Sequence, residues 1–366
     1  MTFLPIDIII IENVLMRFFV MPKTTIVEVA KRAGVSLTTV SRVLNGNYPV
    51  KEATAERVRS AIRELQYEPN AVARSMKSNR TWLIGMVVPD ISNPFFTQMV
   101  KGVERATEKL GYSILVVSTY ERPEKEHSII RLLAQRRVDA LILSTCQTDP
   151  EVLCQSTAGI PTVLVDRRLP ESSHDLVVED NRSSSARIVE HLLENGHRDI
   201  AVVNGNLSIS IARERYEGYV QAMASYGLQP QPQYVLDCSI TKLKTVSAVE
   251  EVIYQAFRQH LPTAVFSTSN TRTQAVLGAC RRLGLSVPQD ISLVSYGEVP
   301  NLFTSLRITH VAQDAALMGR KAAEGALRLL DSPAPHSVRE NLLTSPIIYG
   351  NSVERPRSTL NKEGAL

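Results

Sequence analysis

A chain of 366 residues, 44% hydrophobic and 21% charged with 17 Gly and 19 Pro, is globular and long enough for more than one domain, which excludes collagen-like, low-complexity or wholly disordered chains. Its four cysteines, Cys146, Cys154, Cys238 and Cys280, are too scattered for a disulfide framework or a structural zinc site, as suits a reducing cytoplasm. The formal net charge of +4 hides an asymmetry: residues 23–80 hold eleven Lys and Arg against five Glu, the footprint of a chain that touches a polyanion with one end only.

Residues 1–22 are apolar, but Asp7, Glu12, Asn13 and Arg17 interrupt them, and they lack the basic start and small-residue cleavage site of a signal peptide. Two readings stay open for this extension: an upstream start or disordered leader before translation at Met21, or a short amphipathic helix with an unknown contact. Residues 23–68 then predict three short helices. Ile26, Val29 and Ala30 recur at helical spacing, and Gly34 ends the first helix. Ser36 is a good N-cap for a second, running through Leu37, Val40 and Val43 to Asn45-Gly46. Thr54 is expected to cap a third, with Val58, Ile62 and Leu65 buried and Tyr67 at its end. Two short helices joined by a Gly turn and buttressed by a third predict a helix-turn-helix; any small three-helix bundle is the plainer alternative. The second helix favours DNA, because it presents Leu37, Thr38, Ser41 and Arg42, small groups that can approach a groove beside an Arg able to bond guanine bidentately.

Residues 69–81 are helical in propensity but too poor in apolar surface to fold alone, so they order only when held, or serve as a plain interdomain linker. After Trp82 the pattern changes. LIGMVV (83–88), YSILVVS (112–118), VDALILS (138–144) and TVLV (162–165) predict buried parallel strands, with helices around 96–110, 124–135 and 150–157 between them. IAVVNG, YVLD, AVFSTS and ISLVSYG form a second such array. Two successive arrays predict two α/β subdomains with a ligand cleft at the carboxyl ends of the strands. Candidate ligand contacts at those ends are Asp90, Phe95 and Phe96 after the first strand, Asp166 after the fourth, Arg213 and Arg215 in SISIARERYEGY, and Asn270 after AVFSTS. Aromatic faces beside carboxylates and Arg suit hydroxyl-rich rings. Phe95 or Phe96 as core, and Asp166 as a surface ion pair with Arg167 or Arg168, are the bland counterparts.

Catalysis needs a different inventory. The sequence has no G-x-S-x-G elbow, no phosphate loop and no H-E-x-x-H; His174, His191 and His197 stand alone, and Cys146 and Cys154 lack a nearby base. No enzyme, cofactor or metal site is expected.

VAKRAGVSLTTVSRVLNG, followed by EPNAVARSMKS, IGMVVPDISNPFF, VDRR and VEHLLENGHRDIAVVNG, resembles the LacI/GalR family of bacterial transcription regulators from Thr24 to about Glu354. The resemblance implies that Leu37, Thr38 and Arg42 face base edges in the major groove, while Thr25, Ser36, Ser41, Thr54, Tyr67 and Asn70 hold phosphates or orient the helices. It makes 69–81 a hinge helix in the minor groove, with Met76 at the wedge position usually held by Leu. It makes 82–355 a core similar to periplasmic sugar-binding proteins, with lobes of 82–181 plus 312–340 and 182–311 plus 341–355, and leaves 356–366 as a tail without the a/d heptads of a tetramerising bundle. Arg215 matches the family's most recurrent effector-contacting Arg. Two departures stand out: Ser295-Tyr296-Gly297-Glu298 where many relatives have Gly-Phe/Tyr-Asp-Asp, and Ser269-Asn270-Thr271-Arg272 in place of Asn-Asp. Arg272 extends the expected effectors from neutral hexoses to phosphorylated or carboxylated sugars. The function implied is a cytoplasmic repressor of carbohydrate or related metabolic genes, a homodimer on a pseudo-palindromic double-stranded operator, controlled by a sugar or sugar derivative and independent of membranes. A solute-binding protein of a transport system is the alternative the core alone would support.

Overall fold

The structure is a computed structural model and describes residues 24–45, 49–67, 80–239, 243, 245–299, 305–331 and 337–357; the N-terminal extension, Asn70, Met76 and the end of the tail lie outside the described residues. The chain divides into two compact units between Thr81 and Trp82.

The first unit contains α1 (Ile26–Ala33), α2 (Leu37–Asn45) and α3 (Glu52–Glu64). Thr25 Oγ1 accepts from Glu28 N while the Glu28 carboxylate accepts from Thr25 N at 2.7 Å, a capping box that satisfies two otherwise orphaned amides. Gly34 closes α1 at φ +64°, a left-handed turn that costs a glycine little. Ser36 Oγ accepts from Thr39 N at 3.2 Å, as its place before α2 predicts. The third helix differs from expectation. Thr54 is not its cap but lies within its first turn, and Lys51 holds the N-cap without a side-chain bond. Thr54 N and Ala55 N already bond to Lys51 O, and Glu52 sits favourably at the positive end of the helix dipole, so the helix begins before the Thr hydroxyl can cap it. Val29, Ala30, Ala33, Val40, Val58, Ala61 and Tyr67 form the unit's core.

The second unit holds two six-stranded sheets. The first contains β1 (Leu83–Val88), β2 (Ser113–Ser118), β3 (Ala140–Leu143), β4 (Thr162–Val165), β5 (Asp175–Glu179) and β11 (Glu340–Leu343), in the order β11-β5-β4-β3-β1-β2 and parallel throughout. The second contains β6 (Ile200–Asn204), β7 (Val235–Asp237), β8 (Ala264–Ser267), β9 (Ser292–Tyr296), β10 (Thr309–Val311) and β12 (Ile347–Ile348), in the order β12-β10-β9-β8-β6-β7. Only its edge departs from the expected parallel arrangement: β12 pairs antiparallel with β10, His310 opposite Ile348 and Val311 opposite Ile347, after the chain has passed through α11 and β11. The lobe boundary expected between residues 340 and 341 also moves. Glu340–Leu343 pair in register with Leu176–Glu179 of the first sheet, so the chain crosses to the second lobe only between Leu343 and Ile347.

Helices α4 (Pro94–Thr107), α5 (Pro123–Gln135), α6 (Pro150–Thr157) and α11 (Ala315–Asp331) cover the first sheet, and α7 (Asn181–Glu194), α8 (Ser210–Ser225), α9 (Val246–Gln259) and α10 (Asn270–Leu283) the second. The α4–α11 crossing depends on glycine. A Cβ on Gly102 would lie 2.0 Å from Ala316 O, and one on Gly319 2.0 Å from Met99 O. Such coverage explains why β1, β3 and β4 read as continuous apolar runs rather than alternating ones. Among the described residues no helix is long and apolar enough to cross a membrane.

Candidate functional site

Two surfaces carry the residues singled out in the sequence. On the first unit, Leu37, Thr38 and Arg42 of α2 are exposed, Leu37 at 47% despite its apolar side chain, while Val40 turns inward at 0%. Helical spacing produces this split, since Val40 packs into the core with residues of α1 and α3 while Thr38 and Arg42 lie on the opposite face and Leu37, at the helix start, lies on the flank. Thr25 and Ser36 are exposed at helix starts, and Ser41 and Thr54 are half-buried. Tyr67 is buried in the small core, so its ring acts first as packing. Arg32 pairs with Glu64, Arg59 with Glu52 and Glu56, and Arg63 with Glu56, which neutralises part of the basic charge counted in the sequence.

On the second unit, the carboxyl ends of the strands of both sheets open into one cavity of about 920 Å³. Asp90, Phe95, Phe96, Asp166, Arg215 and Asn270 all line it; Arg213 does not, and its Nη1 lies 3.5 Å from Leu207 O at the half-exposed outer side of α8. Phe96 also belongs to the first lobe's core, with Phe95 packed edge-on against it at 5.1 Å, so both the core and the cleft reading hold for this pair. Asn93 caps α4 and Ser269 caps α10, and Asn270 Nδ2 donates to Asn93 Oδ1 at 3.3 Å, joining the two lobes across the cleft.

Asp166 is 5% exposed and holds φ +68°, a left-handed conformation that Asp tolerates better than most residues. It is no surface ion pair. Burial pushes its carboxyl up to about 6, against the opposing pull of Arg167 and Arg215. Arg167 instead grips Glu121 with both terminal nitrogens, at 2.5 and 2.8 Å, and donates to Thr145 O at 3.2 Å. Arg168 turns away, pairing with Glu214 and Glu340.

Arg215 is 5% exposed and rigidly seated. Its Nε donates to Asn181 Oδ1 at 2.9 Å, its Nη1 to Thr268 O at 2.8 Å, and its guanidinium stacks 3.6 Å from the centre of the Tyr296 ring. The sequence reading did not place Arg167, Glu121 or Gln313 in the site. Arg167 adjoins Asp166, and Glu121 follows β2 within three residues, so the carboxyl-end rule applied to β2 would have found Glu121; Gln313, after a three-residue strand, carried no such signal.

Residues 81–343 match the family described as periplasmic binding proteins and sugar binding domain of LacI family, and residues 25–70 match bacterial regulatory proteins, lacI family. The chain is 34% identical to the HTH-type transcriptional repressor PurR of Aliivibrio salmonicida (strain LFI1238) over 304 residues, 82% of this chain and 90% of the relative. It is 32% identical to the protein of the same description from Vibrio campbellii (strain ATCC BAA-1116) over 334 residues, 90% of this chain and 99% of the relative. Among solved structures it is similar to the lac repressor dimer bound to operator and the anti-inducer ONPF, with TM-score 0.79 and 25% identity over 91% of this chain and 99% of that one. The cellobiose complex of the transcriptional regulator CelR is similar at TM-score 0.67 and 27% identity, covering 90% and 100%.

Proposed function

The chain belongs to the lacI family of bacterial regulatory proteins, and from that premise we propose that it is a sequence-specific repressor whose operator affinity is set by a small molecule bound between its two core lobes. One observation carries this reading: a helix-turn-helix that exposes Leu37, Thr38 and Arg42 shares a chain with a 920 Å³ cleft built from the strand ends of two lobes. In this reading Arg42 reads guanine, Leu37 and Thr38 contact base edges, and Thr25, Ser36 and Ser41 position α2 on phosphates. A single helix-turn-helix makes too few base contacts for useful discrimination, so the working unit is a homodimer on a pseudo-palindrome, and its place of action is the cytoplasm. The cleft binds and releases without a chemical step. A transport role would leave the DNA-reading unit without a purpose.

Asp166, Arg215 and Asn270 hold the effector. Because Asn270 and Asn93 bridge the lobes, a ligand that replaces or reinforces that contact has differential affinity for the two lobe arrangements, the only way it can shift their balance. Couplings of about 1–3 kcal/mol correspond to about 5–150-fold in operator affinity. We assign transmission to residues 69–81, the stretch of chain that joins the DNA-reading unit to the effector core. The test is to select operators from a random-sequence pool, then titrate them with and without a metabolite panel for the native chain and Arg215→Ala. Ligand-dependent operator affinity that survives intact in Arg215→Ala would refute the cleft assignment, and equal affinity for selected and scrambled DNA would refute the repressor.

A further inference from the structure

The cleft is unevenly charged. On the first lobe's side, Arg167 is already matched by Glu121, while Asp90 and Asp166 face the cavity as acceptors. On the second lobe's side stand two guanidiniums, Arg215 and Arg272, and among the described residues neither has a carboxylate within ion-pair distance. The two are anchored on consecutive residues: Arg215 Nη1 donates to Thr268 O, and Arg272 Nη1 donates to Ser269 Oγ at 2.9 Å.

Arg272 is placed where a structural cation would not be. It sits in the first turn of α10, at the positive end of the helix dipole, where a cation is disfavoured and an anion welcome. Its Nε donates to Cys238 O at 3.2 Å, which leaves Nη2 without a protein partner among the described residues. Gly205 makes room for that nitrogen, since a Cβ there would lie 2.4 Å from Nη2. Burial lowers the Arg272 pKa to about 10, with nearby Arg215 acting in the same direction. Two cations withdrawn from water with no carboxylate within ion-pair distance among the described residues are costly, and a bound anion reduces that cost through charge-assisted hydrogen bonds.

We propose that the effector is a small hydroxylated organic anion whose phosphate or carboxylate group seats against Arg272 and Arg215 at the start of α10, with hydroxyls on Asp90 and Asp166. This rests on the reading of the cleft as the effector site and makes Arg272 its specificity-determining residue.

Thermal melting of the full chain in sodium phosphate or citrate, against sodium chloride of equal ionic strength, tests it with simple anions as probes. Phosphate or citrate at about ten times its Kd raises Tm by about 2–4 °C. Arg272→Gln loses that rise and melts no lower than the native chain in chloride, because it removes an uncompensated charge. Gly205→Ala keeps the charge but displaces Nη2, and weakens the anion effect even where Arg272→Gln folds poorly. Calorimetry with ribose against ribose 5-phosphate, and glucose against gluconate and glucose 6-phosphate, has Arg272→Gln weaken the anionic member by about tenfold or more. A native Tm indifferent to these anions, or an anion effect unchanged in both variants, overturns the inference. If a neutral sugar shifts operator affinity and no anion does, the inference falls while the effector cleft stands. If neither class shifts melting or operator binding, the effector reading falls with it.

Discussion

Asp166→Asn isolates the electrostatic cost of burying that carboxyl in the cleft wall. The folded chain pushes this carboxyl from an ordinary value near 3.8 up to about 6, chiefly through burial at 5% exposure. At about 1.4 kcal/mol per unit, a shift of about two units means that the ionised Asp166 lowers stability by about 3 kcal/mol. Because the folded state holds the proton more tightly than the unfolded chain, native stability falls as pH rises from about 4 to about 6 and stays lowered above that. Asn is the suitable replacement, being nearly isosteric and tolerant of the left-handed φ of +68° that Asp166 adopts. Above about pH 7 the variant is therefore more stable by up to about 3 kcal/mol, and the gap closes by about pH 4, where both side chains are neutral. Urea midpoints followed by circular dichroism across that range measure the difference, and other titrating groups cancel in the comparison. A variant that is less stable at neutral pH, or a gap that does not change with pH, would show that Arg167 and Arg215 stabilise the carboxylate more than burial destabilises it.

Arg42→Ala relaxes sequence preference at a cost of about 1–3 kcal/mol for the preferred operator; competition against scrambled DNA reads it, and unchanged discrimination would mean that α2 does not read bases. Gly319→Ala drives a Cβ to 2.0 Å from Met99 O and destabilises the core by about 1–3 kcal/mol or more, visible as a lower urea midpoint; a neutral effect would show that α4 and α11 separate freely. His197 is 1% exposed, between Glu354 O and Thr263 Oγ1, and burial holds its pKa below the usual 6.5. Its contribution is thus lost as pH falls below about 6.5, and an NMR titration showing the ring protonating at or above that value would contradict this. Sedimentation at concentrations that protect a palindrome shows a dimer; a monomer giving the same protection would refute the dyad reading.

The local elements were legible in the sequence because their signals are local. Gly34 at a left-handed turn, Ser36 before α2 and the apolar runs of β1, β3 and β4 each follow from a few neighbouring residues. Thr54 shows the limit of such signals: it is a sound capping residue, yet the backbone had already started α3 at Glu52. The short strands β5, β10, β11 and β12 went unread, since Glu340–Leu343 become a strand only by pairing with Leu176–Glu179, far back in the chain. The site divides the same way. That Arg213 and Arg215 belong near the cleft was visible, but two residues on a helix turn the side chain through about 200°, and only packing against Asn181, Thr268 and Tyr296 decides which one faces inward. Likewise Asp166 beside Arg167 reads as a surface ion pair, but both are buried, and Glu121, brought in from the end of β2, takes the bidentate contact, leaving Asp166 only a long 4.0 Å approach to Arg167 Nε and a raised pKa. Sequence neighbours determine which groups are available; burial and the partners that long-range pairing brings within about 3 Å determine which charges are matched and which are left for a ligand.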